Sequence, residues 1–178
     1  MAFKLGNTNI GELYVGSQRI IQAYLGSSLV YNLVVPPSFD GYVFKVHRHD
    51  DSSSQVSCQG MKMDNTTITS NDIYLGRLET QDGTWQTMTS EEIAGACNES
   101  GQMIMWGKGY EIWINKNDSM SQFQFHTFEH FQPESDWDVY IYTYTGDTIS
   151  DSPLWSGSLN GVVENVWYYI DNTGAGTV

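Results

Sequence analysis

Three glycines spaced ten residues apart constrain the front of this chain more than any other feature. Leu5-Gly6-Asn7, Val15-Gly16-Ser17 and Leu25-Gly26-Ser27 recur at that interval, and Ile10, Ile20 and Val30 keep the same period. A glycine followed by a small polar residue, flanked by β-formers, is a turn signal. The spacing therefore predicts a β-meander, with strands near Ala2–Leu5, Asn9–Val15, Arg19–Leu25 and Leu29–Val35. Alternation places Leu13, Val15, Ile21, Leu25, Tyr31 and Leu33 on one face. Tyr14, Ile20, Tyr24 and Val30 fall on the other. A small sheet that is apolar on both sides, with open edges, is not stable alone and must be covered. The module spans residues 1–35 and ends at Pro36-Pro37-Ser38, a stiff linker over 36–38. Leu13, Tyr14, Val15, Ile20, Ile21, Tyr24, Leu25, Val30, Tyr31 and Leu33 are the candidate attachment or oligomerisation residues.

From Phe39 to Val178 the pattern changes to many short alternating segments separated by turn clusters. Tyr42–Arg48, Val56–Met63, Asp72–Glu79, Thr84–Met88, Gln122–His130, Asp138–Thr145, Leu154–Ser158 and Val163–Ile170 read as strands. Gln102–Trp106 and Tyr110–Asn115 read as a hairpin around Gly107-Lys108-Gly109. Ser90–Cys97 alone looks helical, with Ser90 as N-cap and Glu91 and Glu92 in the first turn. The fold class is thus all-β: a short meander module followed by a β-sandwich or jelly roll over 39–178.

The formal net charge is −13, and through Ser38 there are only two basic residues and one acidic, so the negative charge is concentrated in the later part. Clustered Lys and Arg are needed to hold phosphates, which sets nucleic acid aside as a partner. No stretch has the length of apolar run a membrane span needs, and MAFKLGNTN lacks the apolar region of a secretory signal. Cys58 and Cys97 have no CxxC spacing and are expected as free thiols, a single disulfide being the alternative.

The cadence IGELYVGSQRIIQAYLGSSLVYN resembles a short segment found near the ends of tailed-bacteriophage virion proteins, including head fibres, tail fibres and baseplate components. Ile10, Val15-Gly16-Ser17, Ile20, Tyr24-Leu25-Gly26-Ser27 and Leu29-Val30-Tyr31 carry the likeness. It implies a virion location after assembly in the host cytoplasm, partners among capsid, tail or baseplate proteins, and a homo-oligomer, with a trimer favoured. The order of elements after residue 39 is similar to a galactose-binding-like (discoidin-type) jelly roll, through YVFKVHR, VSCQGMKM, YEIWINKNDSMSQFQFHTF, WDVYIYTYTGDT and LWSG. That likeness implies ligand contact, a host-surface glycan for instance, through loops at one end of the sandwich. A free-standing bacterial carbohydrate-binding module or lectin is the alternative.

No GxSxG, P-loop or recognised Cys/His arrangement is present, so no catalytic residue is assigned and the chain is expected not to be an enzyme. The segments His47-Arg48-His49 and His126-Thr127-Phe128-Glu129-His130 lack the spacing of known zinc motifs. The acidic loops at Asp50-Asp51, Asp64-Asn65, Asn117-Asp118 and Asp147 lack that of an EF-hand. No metal and no cofactor are expected. Flat rings beside carboxylates suit saccharides better, and Trp85, Trp106 and Trp137, with Asp136, lie next to expected loops and are the candidate ligand-binding residues. Trp113, Trp155 and Trp167 lie inside strands and are expected in the core.

Overall fold

In a computed structural model of the chain, residues 38–49, 58–98, 107–127 and 135–178 are described, with backbone only at 135 and in six short strands between residues 4 and 32. The chain divides into two compact units, Met1–Ser38 and Phe39–Val178.

Among its described residues the first unit holds three antiparallel hairpins: β1 (Lys4–Leu5) with β2 (Thr8–Asn9), β3 (Leu13–Val15) with β4 (Gln18–Ile20), and β5 (Gln22–Leu25) with β6 (Ser28–Asn32). Leu5 pairs with Thr8, Val15 with Gln18 and Leu25 with Ser28, so each Gly-x dipeptide separates the last paired positions of its hairpin. A two-residue connection fixes register. Here it pairs Leu13 with Ile20 and Tyr14 with Arg19, which corrects the face assignment read from the repeat. The three ladders join, in turn, the strand expected at Ala2–Leu5 to that at Asn9–Val15, that strand to Arg19–Leu25, and Arg19–Leu25 to Leu29–Val35, the order of a meander, with residues 10–12 and 21 outside the described residues. Leu13, Tyr14, Val15, Ile20, Tyr24, Leu25, Val30 and Tyr31 lie in these strands, while Ile21 and Leu33 lie outside the described residues.

The second unit is a sandwich of two antiparallel sheets. Its strands are β7 (Gly41–Arg48), β8 (Cys58–Met63), β9 (Thr66–Thr67), β10 (Ile73–Glu79), β11 (Trp85–Thr87), β12 (Gly109–Ile114), β13 (Gln122–Thr127), β14 (Ser135–Thr145), β15 (Thr148–Ile149), β16 (Trp155–Val162), β17 (Trp167–Asp171) and β18 (Gly174–Thr177). One sheet runs β11-β10-β12-β7-β14, with β15 and β16 both on the far edge of β14. The other runs β18-β17-β13-β8-β9. The chain crosses repeatedly from one sheet to the other, as an all-β sandwich of the jelly-roll kind does.

Alternation assigns the faces. Tyr42, Phe44 and Val46 of β7, Tyr110, Ile112 and Ile114 of β12, and Trp137, Val139 and Ile141 of β14 are all buried in the inter-sheet core. Met61, Phe123, Phe125, Tyr168 and Ile170 answer them from the second sheet. Phe44 joins the layers: its ring lies 4.6 Å from Phe123 and 4.9 Å from Phe125. Cys58 and Cys97 are both free and buried, and burial pushes each thiol up to about 12.

The single described α-helix, α1 (Ser90–Cys97), starts one residue away from the expected cap. Thr89 is the N-cap, its hydroxyl accepting from Glu92 N while the Glu92 carboxylate accepts from Thr89 N. This reciprocal pair is the capping box written in Thr89-Ser90-Glu91-Glu92. The expected hairpin between 102–106 and β12 is also corrected. Both edges of β12 are taken, one by β10 and the other by β7. Residues 102–106 themselves lie outside the described residues.

Trp137 has no exposed surface and stacks on Phe125 at 6.2 Å, with the rings inclined by 9°. Truncating a fully buried aromatic costs about 3–5 kcal/mol. Trp137→Ala is therefore expected to lower the unfolding free energy by about that amount in urea denaturation; a loss under about 1 kcal/mol would contradict this packing.

Candidate functional site

A break in the alternation of β10 builds the site. Ile73 pairs with Ile114, and Leu75 pairs with Trp113, so Tyr74 is an extra residue with no partner position on β12. Such a bulge turns one side chain out of the regular pleat. Ile73 packs against the inter-sheet core, whereas Tyr74 is 57% exposed. Its ring stacks on Tyr144 at 6.3 Å with 16° between planes, and lies 6.4 Å from Trp113. Trp113 and Tyr144 are themselves 5.0 Å apart. They are buried, but in a satellite cluster with Val43 and not in the inter-sheet core.

Gly41 makes room for this cluster. It sits opposite Tyr144 in the β7–β14 ladder, and a Cβ there would lie 2.8 Å from the Tyr144 ring while running into the carbonyl of Ile114. Gly146 follows in a left-handed turn, φ +57°, and its N–H donates to Asp40 Oδ2 at 2.7 Å. The cleft so formed encloses about 290 Å³ and is lined by Asp40, Tyr74, Asn115, Asn117, Tyr144, Gly146 and Asp147. Tyr74 O–H donates to Asp147 Oδ1 at 3.4 Å. With its amide turned so that the nitrogen faces them, Asn117 Nδ2 donates to the carbonyls of Phe39 (2.9 Å) and Asp40 (3.0 Å), the orientation that satisfies both groups and leaves Oδ1 as an acceptor. Burial first, then the negative charge of Asp40, raises the Tyr144 hydroxyl above its ordinary range, so it stays a neutral donor at neutral pH.

The loop carrying Asn115 and Asn117 is pinned from below. Tyr42 O–H donates to the carbonyl of Asp118 at 2.9 Å and accepts from Met120 N at 3.2 Å. Asp64, at the turn after β8, accepts from Ser121 N, Ser121 Oγ (2.6 Å) and Gln122 N (2.7 Å). Lys116 pairs with Asp72 at 3.2 Å. The polar rim of the cleft is thus held by both sheets.

The residues expected from sequence lie elsewhere. Trp85 is on the outer face of the larger sheet, opposite Glu79 in the β10–β11 ladder, and one face of its indole carries the Lys45 ammonium at 4.7 Å. Lys45 in turn pairs with Glu111 at 3.1 Å. Along β7, the row that reaches Glu79 and Trp85 through Gly109 passes His47, six residues from Gly41, so Trp85 is about 20 Å from the cleft. Asp136 is exposed and accepts from Gly161 N at 2.9 Å, bracing β16. Trp137 is a core residue, because β14 begins at Ser135 and its alternation turns Trp137 inward; ligand contact by Trp137 is corrected accordingly. Trp106 lies outside the described residues. Trp155 belongs to the core, whereas Trp167 is half-buried beneath Lys62.

His47 and His49 are engaged with carboxylates. His47 Nδ1 is 2.9 Å from Glu79, and His49 Nε2 is 2.7 Å from Asp138. Partial burial opposes the ionised form of Asp138, but bonds from Ser158 and His49 outweigh it and hold the carboxyl below its ordinary range. Among the described residues, no three His, Cys, Asp or Glu side chains converge as a metal site. Glu129, His130, Asp50 and Asp51 lie outside the described residues. Among the described residues no helix is long and apolar enough to cross a membrane. No protein-family model matches the chain, no curated protein matches it, and no solved structure matches its fold.

Asp64 allows a pH test of the loop clamp. Partial burial raises its pKa, but the bonds from Ser121 and Gln122 prevail and depress it in the folded state. Its contribution is therefore full above the unfolded value of about 4, and is lost as pH falls through the depressed folded value. Asp64→Asn is expected to cost about 1 kcal/mol at neutral pH, after allowing for solvent screening at this exposed site. Urea denaturation should show that gap closing as pH falls below about 4 and through the depressed folded value; an unchanged gap at acid pH would contradict the clamp.

Proposed function

We propose that this chain is a non-enzymatic structural protein of a bacteriophage virion, of the head-fibre, tail-fibre or decoration kind. Residues 1–35 anchor it to the particle or oligomerise it there, and the jelly roll is carried outward, where it meets a host-surface glycan. The observation that carries the reading is the ten-residue repeat, whose described residues form three antiparallel ladders, each closed across a Gly-x dipeptide. A small sheet of a few short strands with open edges is marginal in water, so it needs a surface to pair with or to pack on. Copies of the same segment, or capsid, tail or baseplate proteins, supply that surface, and the likeness to virion segments points to the same kind of place.

The aromatic cleft of the sandwich favours a second reading, a free-standing bacterial carbohydrate-binding module or lectin. That protein would work as a monomer, and its first unit would be dispensable for assembly. Solution mass separates the two. The full chain is expected to run at three times its 20.1 kDa, and a chain beginning at Ser38 is expected to be folded and monomeric. A full-length monomer that binds no particle component would defeat the virion reading.

A further inference from the structure

The geometry points to the cleft between Tyr74 and Asp147 as a saccharide site for a single hexopyranose ring without anionic substituents. This rests on the glycan half of the function proposed above and gives that half a location. Three observations converge on it. A bulge extrudes Tyr74 from the pleat, and bulges are the means by which sheets re-aim a side chain at a site. The extruded ring stacks on Tyr144 and leans against Trp113 at a tilt, yet remains 57% exposed, which makes it a platform with one side open. Carboxylate and amide groups from three other segments, Asp40, Asn115, Asn117 and Asp147, surround that platform.

A hexopyranose has the matching chemistry. Its C–H face carries partial positive charge and lies on the negative face of an aromatic ring, while its equatorial hydroxyls point outward to acceptors at the rim. The cleft volume of about 290 Å³ is at the lower end of the range for small-molecule sites, which suits one ring and not an extended chain. Charge then selects among sugars. The lining holds two carboxylates and no Lys, Arg or His, and nearby Lys116 is neutralised by Asp72. The whole chain carries −13, so a sialylated or sulfated ring meets repulsion at the site and at long range.

The test uses the full-length protein, titrated calorimetrically with methyl glycosides of glucose, galactose and mannose, and with sialyllactose as the anionic probe. At least one neutral glycoside is expected to bind with a roughly millimolar Kd, as a lone small ring does. Tyr74→Ala, at an exposed position that leaves the core intact, is expected to weaken it about tenfold or more. Tyr74→Phe keeps the face and is expected to retain binding within about threefold. No binding by any neutral glycoside, unchanged binding in Tyr74→Ala, or equal binding of sialyllactose through its sialic acid would overturn the inference. Solution mass on the same samples keeps the two proposals apart. A trimer that binds no sugar sinks the site alone, and a monomer that binds sugar through Tyr74 but binds no particle component sinks the virion assignment alone.

Discussion

The contact on which the second unit depends is the insertion of Phe44 between Phe123 and Phe125. It joins the middle of one sheet to the middle of the other, with Tyr110 closing from the side at 5.7 Å. Because strands alternate, committing Tyr42, Phe44 and Val46 to that interior commits Val43, Lys45 and His47 to the outer face. The same holds along β12, where Ile112 and Ile114 face in while Glu111 and Trp113 face out. The outer face is therefore not a free choice of sequence. It is what remains once the core is filled, and the protein has dressed it with charge and aromatic rings.

Its outward side chains form registered rows. Lys45 bridges Trp85 and Glu111, and Glu111 accepts from the Trp113 indole at 3.5 Å with Arg77 4.0 Å away. These contacts keep a nearly buried Glu111 neutralised, which an isolated carboxylate at 5% exposure would require. The row ends at the buried Trp113 and Tyr144 and the bulged Tyr74, where charge pairs give way to one exposed ring with acceptors around it. That transition, from a self-satisfied network to groups with spare capacity, is what distinguishes the cleft from the rest of the face.

The all-β class and the helix at Ser90–Cys97 were legible in the sequence, because alternation and capping are local signals. The misplaced residues each have a non-local cause. Trp137 looked like a loop residue between two aspartates, but β14 extends back to Ser135 and turns it inward. Gly107-Lys108-Gly109 looked like a hairpin turn, but β12 spends both edges on β10 and β7, partners at least 30 residues away in the chain. The cleft draws on four segments, so no single motif contains it. One trace was available: Ile73-Tyr74-Leu75 is three apolar residues in a row within an alternating strand, the pattern a bulge leaves. Asn117 and Asp147 drew notice only as oxygen donors in acidic loops, because their aromatic neighbours come from β10, β12 and β14.

The central claim is that the extra residue in β10 turns an aromatic ring outward to serve as a platform for a neutral sugar. A crystal structure of the full chain soaked with the tightest-binding methyl glycoside tests it most directly. The account predicts the ring of the sugar stacked on Tyr74, with hydroxyls within hydrogen-bond reach of Asp147 or Asn115. Tyr74 folded into the sheet without a bulge, or the sugar seated on Trp85 at the other end of the face, would contradict it.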